Sequence, residues 1–90
     1  MKAIHLKIYG RVQGVFFRKH TREKAVELGL SGSVCNCQDG SVEIYAEGME
    51  QAIEDFVQWC HHGPSRAFVE KVDIHETTLK NYTNFVILRA

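Results

Sequence analysis

The chain opens with an alternation of apolar and polar residues that later gives way to a helical period. Every second residue from Ile4 to Ile8 is apolar, which predicts a strand over residues 3–10. Between residues 16 and 28 the apolar side chains recur every three or four positions, which predicts a helix. Gly29 follows where a left-handed glycine commonly caps a helix, so we expect the helix to end there.

Two short strands are predicted next, over residues 33–36 and 41–47, around an Asp39-Gly40 pair. An Asp-Gly pair between extended segments is a strong β-hairpin signal. The second strand alternates between two sets of residues: Val42, Ile44 and Ala46 on one side, and Glu43, Tyr45 and Glu47 on the other. We therefore expect this hairpin to have one buried and one solvent-exposed face.

A one-sided stripe of apolar residues marks the second helix. Its members fall at helical spacing opposite a polar face, and they are Met49, Ala52, Ile53, Phe56, Val57 and Cys60. Gly48 is the predicted N-cap of this helix, and Gly63-Pro64 is expected to stop it.

The end of the chain is predicted to be extended. A strand over residues 68–77 has an alternation that slips near Glu70, which predicts a β-bulge. A polar loop, residues 80–84, leads to a last strand over residues 85–89. Because both helices have one apolar face, we expect them on one face of a mostly antiparallel sheet. The fold class is therefore α+β, a ferredoxin-like sandwich of order β-α-β-β-α-β with an extra short C-terminal strand, in one domain of residues 1–90.

Composition narrows the class of protein. With 90 residues, of which 44% are apolar, the chain can form one small core. No apolar run approaches the roughly 18 residues needed to cross a bilayer, and no signal-peptide block precedes the first strand, so we expect a cytoplasmic protein. The three cysteines are expected to be reduced, with Cys60 in the core, because Cys35 and Cys37 are too close along one strand to pair easily.

The net charge is zero, but the charges are unevenly distributed. Residues 1–24 contain seven Lys or Arg and one Glu, whereas residues 25–90 contain four Lys or Arg and ten Asp or Glu. The positive excess could steer an anion toward the start of the chain, or it could be the solvated face of the first helix. Charge alone leaves both interpretations open.

A glycine-bracketed stretch joins the first strand to the first helix, with the sequence Gly10-Arg11-Val12-Gln13-Gly14-Val15-Phe16-Phe17-Arg18. Its glycines allow a sharp turn that aims N–H groups inward, the helix N-terminus adds further donors, and Arg18 adds a guanidinium. Such a loop is suited to bind a small dianion such as phosphate. Asn36 ends the strand before the Asp-Gly turn, where a turn-forming role is the ordinary explanation of an asparagine.

Two motifs resemble the signatures of the acylphosphatase family. They are the stretch just given and Gly29-Leu30-Ser31-Gly32-Ser33-Val34-Cys35-Asn36, with further matches at Asp39-Gly40-Ser41-Val42-Glu43, Glu47-Gly48 and Gly63-Pro64. The resemblance implies an enzyme that hydrolyses acyl phosphates to a carboxylate and inorganic phosphate. It also implies that Arg18 and the backbone of Gln13, Gly14, Val15 and Phe16 hold the phosphoryl group. By the same resemblance, Asn36 orients the attacking water.

The implied chemistry is consistent with the residues present. An acyl phosphate leaves as a carboxylate, whose conjugate acid has a pKa of roughly 4–5, so no proton donor is needed. Arg18 and the loop amides supply the positive charge that a metal ion could otherwise supply. We therefore predict no cofactor and no metal. The predicted protein is a monomer whose partners are a small acyl phosphate and the competing anions phosphate and sulfate, with no nucleic acid and no membrane.

Three residues around Asn36 depart from the family pattern. An aromatic residue is usual at the position of Ser33, and its absence is expected to loosen the packing behind Asn36. Cys35 and Cys37 stand where polar or charged residues are common. Their presence leads to the hypothesis that activity is sensitive to thiol oxidation.

Two other classes of protein remain as alternatives. RNA-recognition domains share this element order, but they need exposed aromatic residues on a basic sheet face, whereas Tyr45 stands between Glu43 and Glu47. A module that binds an anion or carbamoyl phosphate without turnover, within a larger system, would keep the same fold and phosphate site.

Overall fold

The strands and helices of the chain pack around one apolar core. The computed structural model describes residues 1–89. Its elements, in chain order, are β1 (Lys2–Arg11), α1 (Phe17–Glu27), β2 (Ser31–Asn36), β3 (Val42–Gly48), α2 (Glu50–Cys60), β4 (Phe68–Thr77) and β5 (Phe85–Ile87). Each predicted element is present, with bounds that shift by a few residues at most.

The five strands form one sheet in the order β4-β1-β3-β2-β5. The pairs β1–β4, β1–β3 and β2–β3 are antiparallel, whereas β5 lies parallel to β2. Both helices lie on the same face, since their buried residues join the inward side chains of the strands in one apolar cluster, which includes Cys60. The predicted ferredoxin-like α+β sandwich is confirmed, with β5 as a short parallel edge strand.

Two local predictions are also confirmed. The β1–β4 register shifts at Gly10, which pairs with Val69 and leaves Glu70 as the extra residue of a bulge. Gly29 has φ 76° and directly follows the C-cap Leu28, as expected for a left-handed helix end.

The predicted N-cap of α2 is wrong. Gly48 still belongs to β3, where it pairs with Lys2, and the N-cap is Met49, which has an extended backbone and makes no side-chain capping hydrogen bond. A Cβ added at Gly48 would lie 2.5 Å from Leu30 Cδ2. The glycine therefore serves the close packing of the strand, and the β1–β3 ladder extends almost to the start of the helix.

The prediction that the outer face of β3 is exposed to solvent is wrong at Tyr45 and Glu47. Tyr45 and Glu47 are only 5% and 3% exposed, because the segment after β4 folds across them. Lys80 N donates to Glu47 Oε2 at 2.9 Å, and Tyr82 N donates to Glu47 Oε1 at 2.6 Å. The Tyr45 hydroxyl also donates to Glu47. The polar pair is buried because backbone donors of a distant loop supply its hydrogen bonds.

Glu47→Gln is expected to destabilise the fold by about 1–3 kcal/mol at pH 7, because it removes the charge from a buried acceptor. Burial raises the pKa of Glu47, but hydrogen bonds from Tyr45 and from the backbone of residues 80–82 outweigh it, so the pKa lies below the ordinary 4.5. A lowered folded-state pKa stabilises the protein above the unfolded value, and this stabilisation is lost as the pH falls through the folded value. Urea unfolding measures this effect: the difference in the free energy of unfolding between variant and wild type should shrink below pH 4.5.

Glu54→Gln is the control for this substitution. Glu54 is exposed on α2, so its variant should change the free energy of unfolding by less than about 0.5 kcal/mol. A Glu47→Gln protein as stable as wild type at pH 7 would show that the loop contacts do not stabilise the fold.

Candidate active site

A cavity of about 350 Å³ lies where the β1–α1 loop meets the ends of β2 and β5. Its lining residues are Val12, Gly14, Phe16, Phe17, Arg18, Lys19, Asn36, Ile87 and Arg89. Four of the residues singled out in the sequence, Gly14, Phe16, Arg18 and Asn36, are among them. The structure therefore brings the two sequence motifs together in one cavity.

The loop of residues 12–16 turns sharply between β1 and α1. Gly14 has φ 75° and Phe16 has φ 62°, while Val15 between them is not left-handed. A bulky residue rarely adopts the left-handed conformation. This conformation persists only where the surrounding structure holds the residue in place. Alternating backbone handedness turns successive N–H groups toward one point, which makes a concave site for an anion. The backbone of this loop follows that pattern.

The start of α1 adds positive charge to the same place. Phe16 is the N-cap and provides no side-chain hydrogen bond, so the first N–H groups of the helix lack a side-chain cap. These groups carry the positive end of the helix dipole. Arg18 is half-buried in the first turn and lines the cavity, consistent with the N-terminal lean of helix side chains. The loop, the start of α1 and the Arg18 guanidinium therefore lie around one cavity.

Asn36 is the last residue of β2 and pairs with Val42 of β3. Its Oδ1 is buried and has no hydrogen-bond partner among residues 1–89. Buried polar atoms are nearly always paired, so an unpartnered acceptor in a residue that lines the cavity is a candidate group for binding a ligand there. A turn-forming role does not explain Asn36, because Asp39 makes the turn: its Oδ1 accepts from Ser41 N at 3.0 Å.

Two of the predicted loop residues have side chains outside the cavity lining. Val15 packs against the apolar core. The Gln13 side chain reaches the β2–β3 turn, where Nε2 donates to Cys37 O and to Ser41 O, each at 2.8 Å. The sequence assigns a backbone role to Gln13 and Val15, and that role stays a prediction.

Three lining residues, Lys19, Ile87 and Arg89, were not identified from the sequence. Ile87 pairs with Val34 in the parallel β2–β5 ladder. Since parallel strands end at the same edge of a sheet, β5 carries its last residues toward Asn36. The alternation of residues 85–89 predicts a strand but does not specify its neighbour, so the pattern could not place these side chains in the site.

The cavity lining is cationic. Among residues 1–89, it carries Arg18, Lys19 and Arg89 and no carboxylate side chain. This charge favours an anionic ligand, because positive groups lining a concave site attract and concentrate anions. Within the part of the chain that the structure describes, no group of three or more His, Cys, Asp or Glu side chains is arranged to hold a metal ion, and no helix is long and apolar enough to span a membrane.

The departures near Asn36 affect the other face of the sheet. Ser33 is buried and pairs with Tyr45 of β3, and residues three apart in a strand face opposite sides. Ser33 therefore faces the outer side of the sheet, whereas Asn36 lines the cavity on the other side. Looser packing behind Asn36 stays a prediction. Burial raises the pKa of Cys35 above its ordinary 9.0, so at neutral pH its side chain is a thiol, which is less reactive than a thiolate.

The fold and the cavity together define a small α+β domain with a cationic site built on a strand–loop–helix. Residues 4–87 match the family model described as Acylphosphatase. An acylphosphatase of Rubrobacter xylanophilus is 51% identical over 83% of this chain and 68% of its own length. One from Methylococcus capsulatus is 42% identical over 99% of this chain and 98% of its own length. The chain belongs to the acylphosphatase family.

Solved structures agree with this assignment. The crystal structure of acylphosphatase from Bacillus subtilis has a TM-score of 0.96 and 36% identity, and the match covers 99% of this chain and 100% of that one. A full-length HypF, in a phosphate- and nucleotide-bound form, has a TM-score of 0.88 and 30% identity over 98% of this chain but only 12% of its own. By family, this chain is a hydrolase that cleaves the carboxyl-phosphate bond of acyl phosphates.

Proposed function

We propose that the cavity holds the phosphoryl group on the N–H groups of residues 13–16 and on Arg18, while Asn36 orients the water that attacks phosphorus. The observation that carries the proposal is the Oδ1 of Asn36, which has no hydrogen-bond partner within the described part of the chain and belongs to a residue that lines the same cavity as Arg18 and the start of α1. Hydrolysis of a bound phosphoryl group requires a preorganised positive cradle and a placed nucleophile. The loop supplies the cradle, and Asn36 places the nucleophile.

The positive cradle acts on charge that develops during the reaction. Phosphoryl transfer spreads negative charge over the three equatorial oxygens of the phosphoryl group. Arg18 offers a planar guanidinium that can bond two such oxygens at once, and the loop N–H groups can bond the others. Because the loop backbone and the first turn of α1 are already formed, these donors need little reorganisation when substrate binds.

Asn36 places the water without acting as a base. Its Oδ1 accepts one water hydrogen and leaves a lone pair of the water oxygen directed at phosphorus. The oxygen–phosphorus bond forms, the bond from phosphorus to the carboxyl oxygen breaks, and the carboxylate leaves with the electron pair. Since its conjugate acid has a pKa of roughly 4–5, the carboxylate departs without a proton from the enzyme. The proton of the water passes to the phosphate product or to solvent.

Inorganic phosphate and sulfate should compete with the substrate for the same cradle. We also predict that the protein is monomeric and cytoplasmic.

An RNA-recognition module is disfavoured because Tyr45 is buried beneath the loop after β4 and cannot stack on a base. A phosphate-binding module without turnover would use the same loop. A measured rate of acyl phosphate hydrolysis separates that module from an enzyme.

Arg18→Ala and Asn36→Ala are each expected to lower the rate of acetyl phosphate hydrolysis by about 100- to 1000-fold, because each removes a group that stabilises or places the reacting atoms. The two variants should differ in their inhibition by phosphate. Arg18→Ala should raise the inhibition constant strongly, whereas Asn36→Ala should leave it within about twofold. Steady-state kinetics with phosphate as the competitor measures both effects.

Lys24→Ala is the matched control for loss of charge. Lys24 lies further along α1, where it pairs with Glu27 at 3.2 Å, so its removal changes the net charge of the helix without touching the cavity. The Lys24→Ala variant should hydrolyse acetyl phosphate at a rate near that of wild type. Full activity in folded Arg18→Ala and Asn36→Ala proteins would contradict the assignment of the site.

A pair of glycine substitutions tests the loop backbone. Gly14 and Gly29 have φ of 75° and 76°, and an added Cβ would meet nothing within 4 Å at either position. Each alanine variant should therefore lose about 1 kcal/mol of stability through the same backbone strain. Only Gly14→Ala should raise the inhibition constant of phosphate, because Gly29 lies at the far end of α1. Unchanged phosphate inhibition in Gly14→Ala would count against the loop as the phosphate cradle.

A further inference from the structure

The Gln13 side chain joins two parts of the site that are distant in sequence. It is half-buried, and its Nε2 donates to Cys37 O, 24 positions away, and to Ser41 O, 28 positions away. A primary amide has two N–H donors, so both are used. Their acceptors are the backbone carbonyls at the two ends of the β2–β3 turn.

The same two carbonyls close the turn. Cys37 N donates to Ser41 O at 2.8 Å, and Gly40 N donates to Cys37 O at 3.2 Å. Each carbonyl oxygen therefore accepts one hydrogen bond from the turn and one from Gln13, which uses both of its lone pairs. Because this turn begins directly after Asn36, a displacement of the turn would move Asn36 relative to the loop.

We propose that Gln13 is a positioning residue for hydrolysis, whose side-chain amide fixes the loop that holds the phosphoryl group relative to Asn36. This inference rests on the proposed function of Arg18 and Asn36. A misplacement of about 1 Å in a catalytic arrangement can cost about 100-fold in rate. Gln13 can therefore control turnover through its side chain without that side chain touching the substrate.

A second contact joins β1 to the same turn and offers a comparison. Lys7 Nζ lies 3.2 Å from Asp39 Oδ2, and the two side chains are 31% and 50% exposed. Solvent screens such a pair, so its contribution to holding the turn is small. The Gln13 bonds are partly buried and directed at the backbone, which makes them the stronger constraint on Asn36.

The test is a double-mutant cycle on turnover of acetyl phosphate. Gln13→Met keeps the length of the side chain and removes both donors. It should lower kcat by about 10- to 100-fold. The inhibition constant of phosphate should stay within about twofold, because phosphate needs only the loop and Arg18. In an Asn36→Ala background the same substitution should change kcat by less than about twofold, since the group that Gln13 positions is gone.

Two further variants serve as control and substitute. Lys7→Ala should keep kcat within about twofold of wild type, because it breaks only the exposed contact to the turn. If circular dichroism shows that Gln13→Met does not fold, Gln13→Asn takes its place in the cycle. It keeps an amide but is one methylene too short to reach both carbonyls, so the same results are expected.

Three results would overturn the inference: a kcat near that of wild type, an equal loss of kcat with and without Asn36, or a loss of phosphate binding in proportion to kcat. The last two would show that Gln13 supports the loop or the whole fold and does not act through Asn36. The proposed function is tested separately by Asn36→Ala alone. Full activity of that variant would contradict the role of Asn36 whatever Gln13 does.

Discussion

The register of three adjacent strands determines where the site forms. Ile8 of β1 pairs with Val42 of β3, and Val42 pairs with Asn36 of β2, so the ends of β1 and β2 lie at the same edge of the sheet. Ile8 and Val42 are fully buried, and a slip of one residue would turn them to the outer face. The apolar pattern that stabilises the core therefore also sets the position of Asn36 relative to the loop.

Features that are unfavourable for stability gather at this edge. The left-handed backbone of Phe16, at φ 62°, costs about 1–3 kcal/mol, and the buried Oδ1 of Asn36 has no hydrogen-bond partner in residues 1–89. The core holds this arrangement in place. Phe17, the next residue, is 1% exposed and packs against Trp59 with ring centroids 5.8 Å apart. The anchored side chain of Phe17 therefore fixes the end of the loop next to Phe16.

The elements of the fold could be predicted from the sequence because each depends on a local period of apolar residues. The burial of Tyr45 and Glu47 could not, since it depends on backbone donors of a loop more than thirty positions later, which no side-chain pattern specifies. The site likewise contains residues that the sequence predicts and residues that it does not. The glycines of the loop and Arg18 predict an anion cradle from the sequence alone. An asparagine before a turn is ordinarily explained by the turn, and only the structure shows that Asp39 forms it. Arg89 follows β5 by two residues and reaches the cavity because β5 pairs in parallel with β2, a pairing that the sequence of β5 does not specify.

The chemistry of acyl phosphates explains why geometry matters so much in this small fold. The leaving carboxylate needs no proton, and among the described residues 1–89 the cavity lining contains neither a carboxylate side chain nor a histidine to give one. In the proposed mechanism, the rate depends on how accurately the loop N–H groups, Arg18 and the water are placed, so the site must be rigid. Strand register supplies part of that rigidity, but the sheet holds the loop only through the end of β1. The two hydrogen bonds of Gln13 connect the loop directly to the turn after Asn36, so they constrain the part of the site that the sheet alone leaves free.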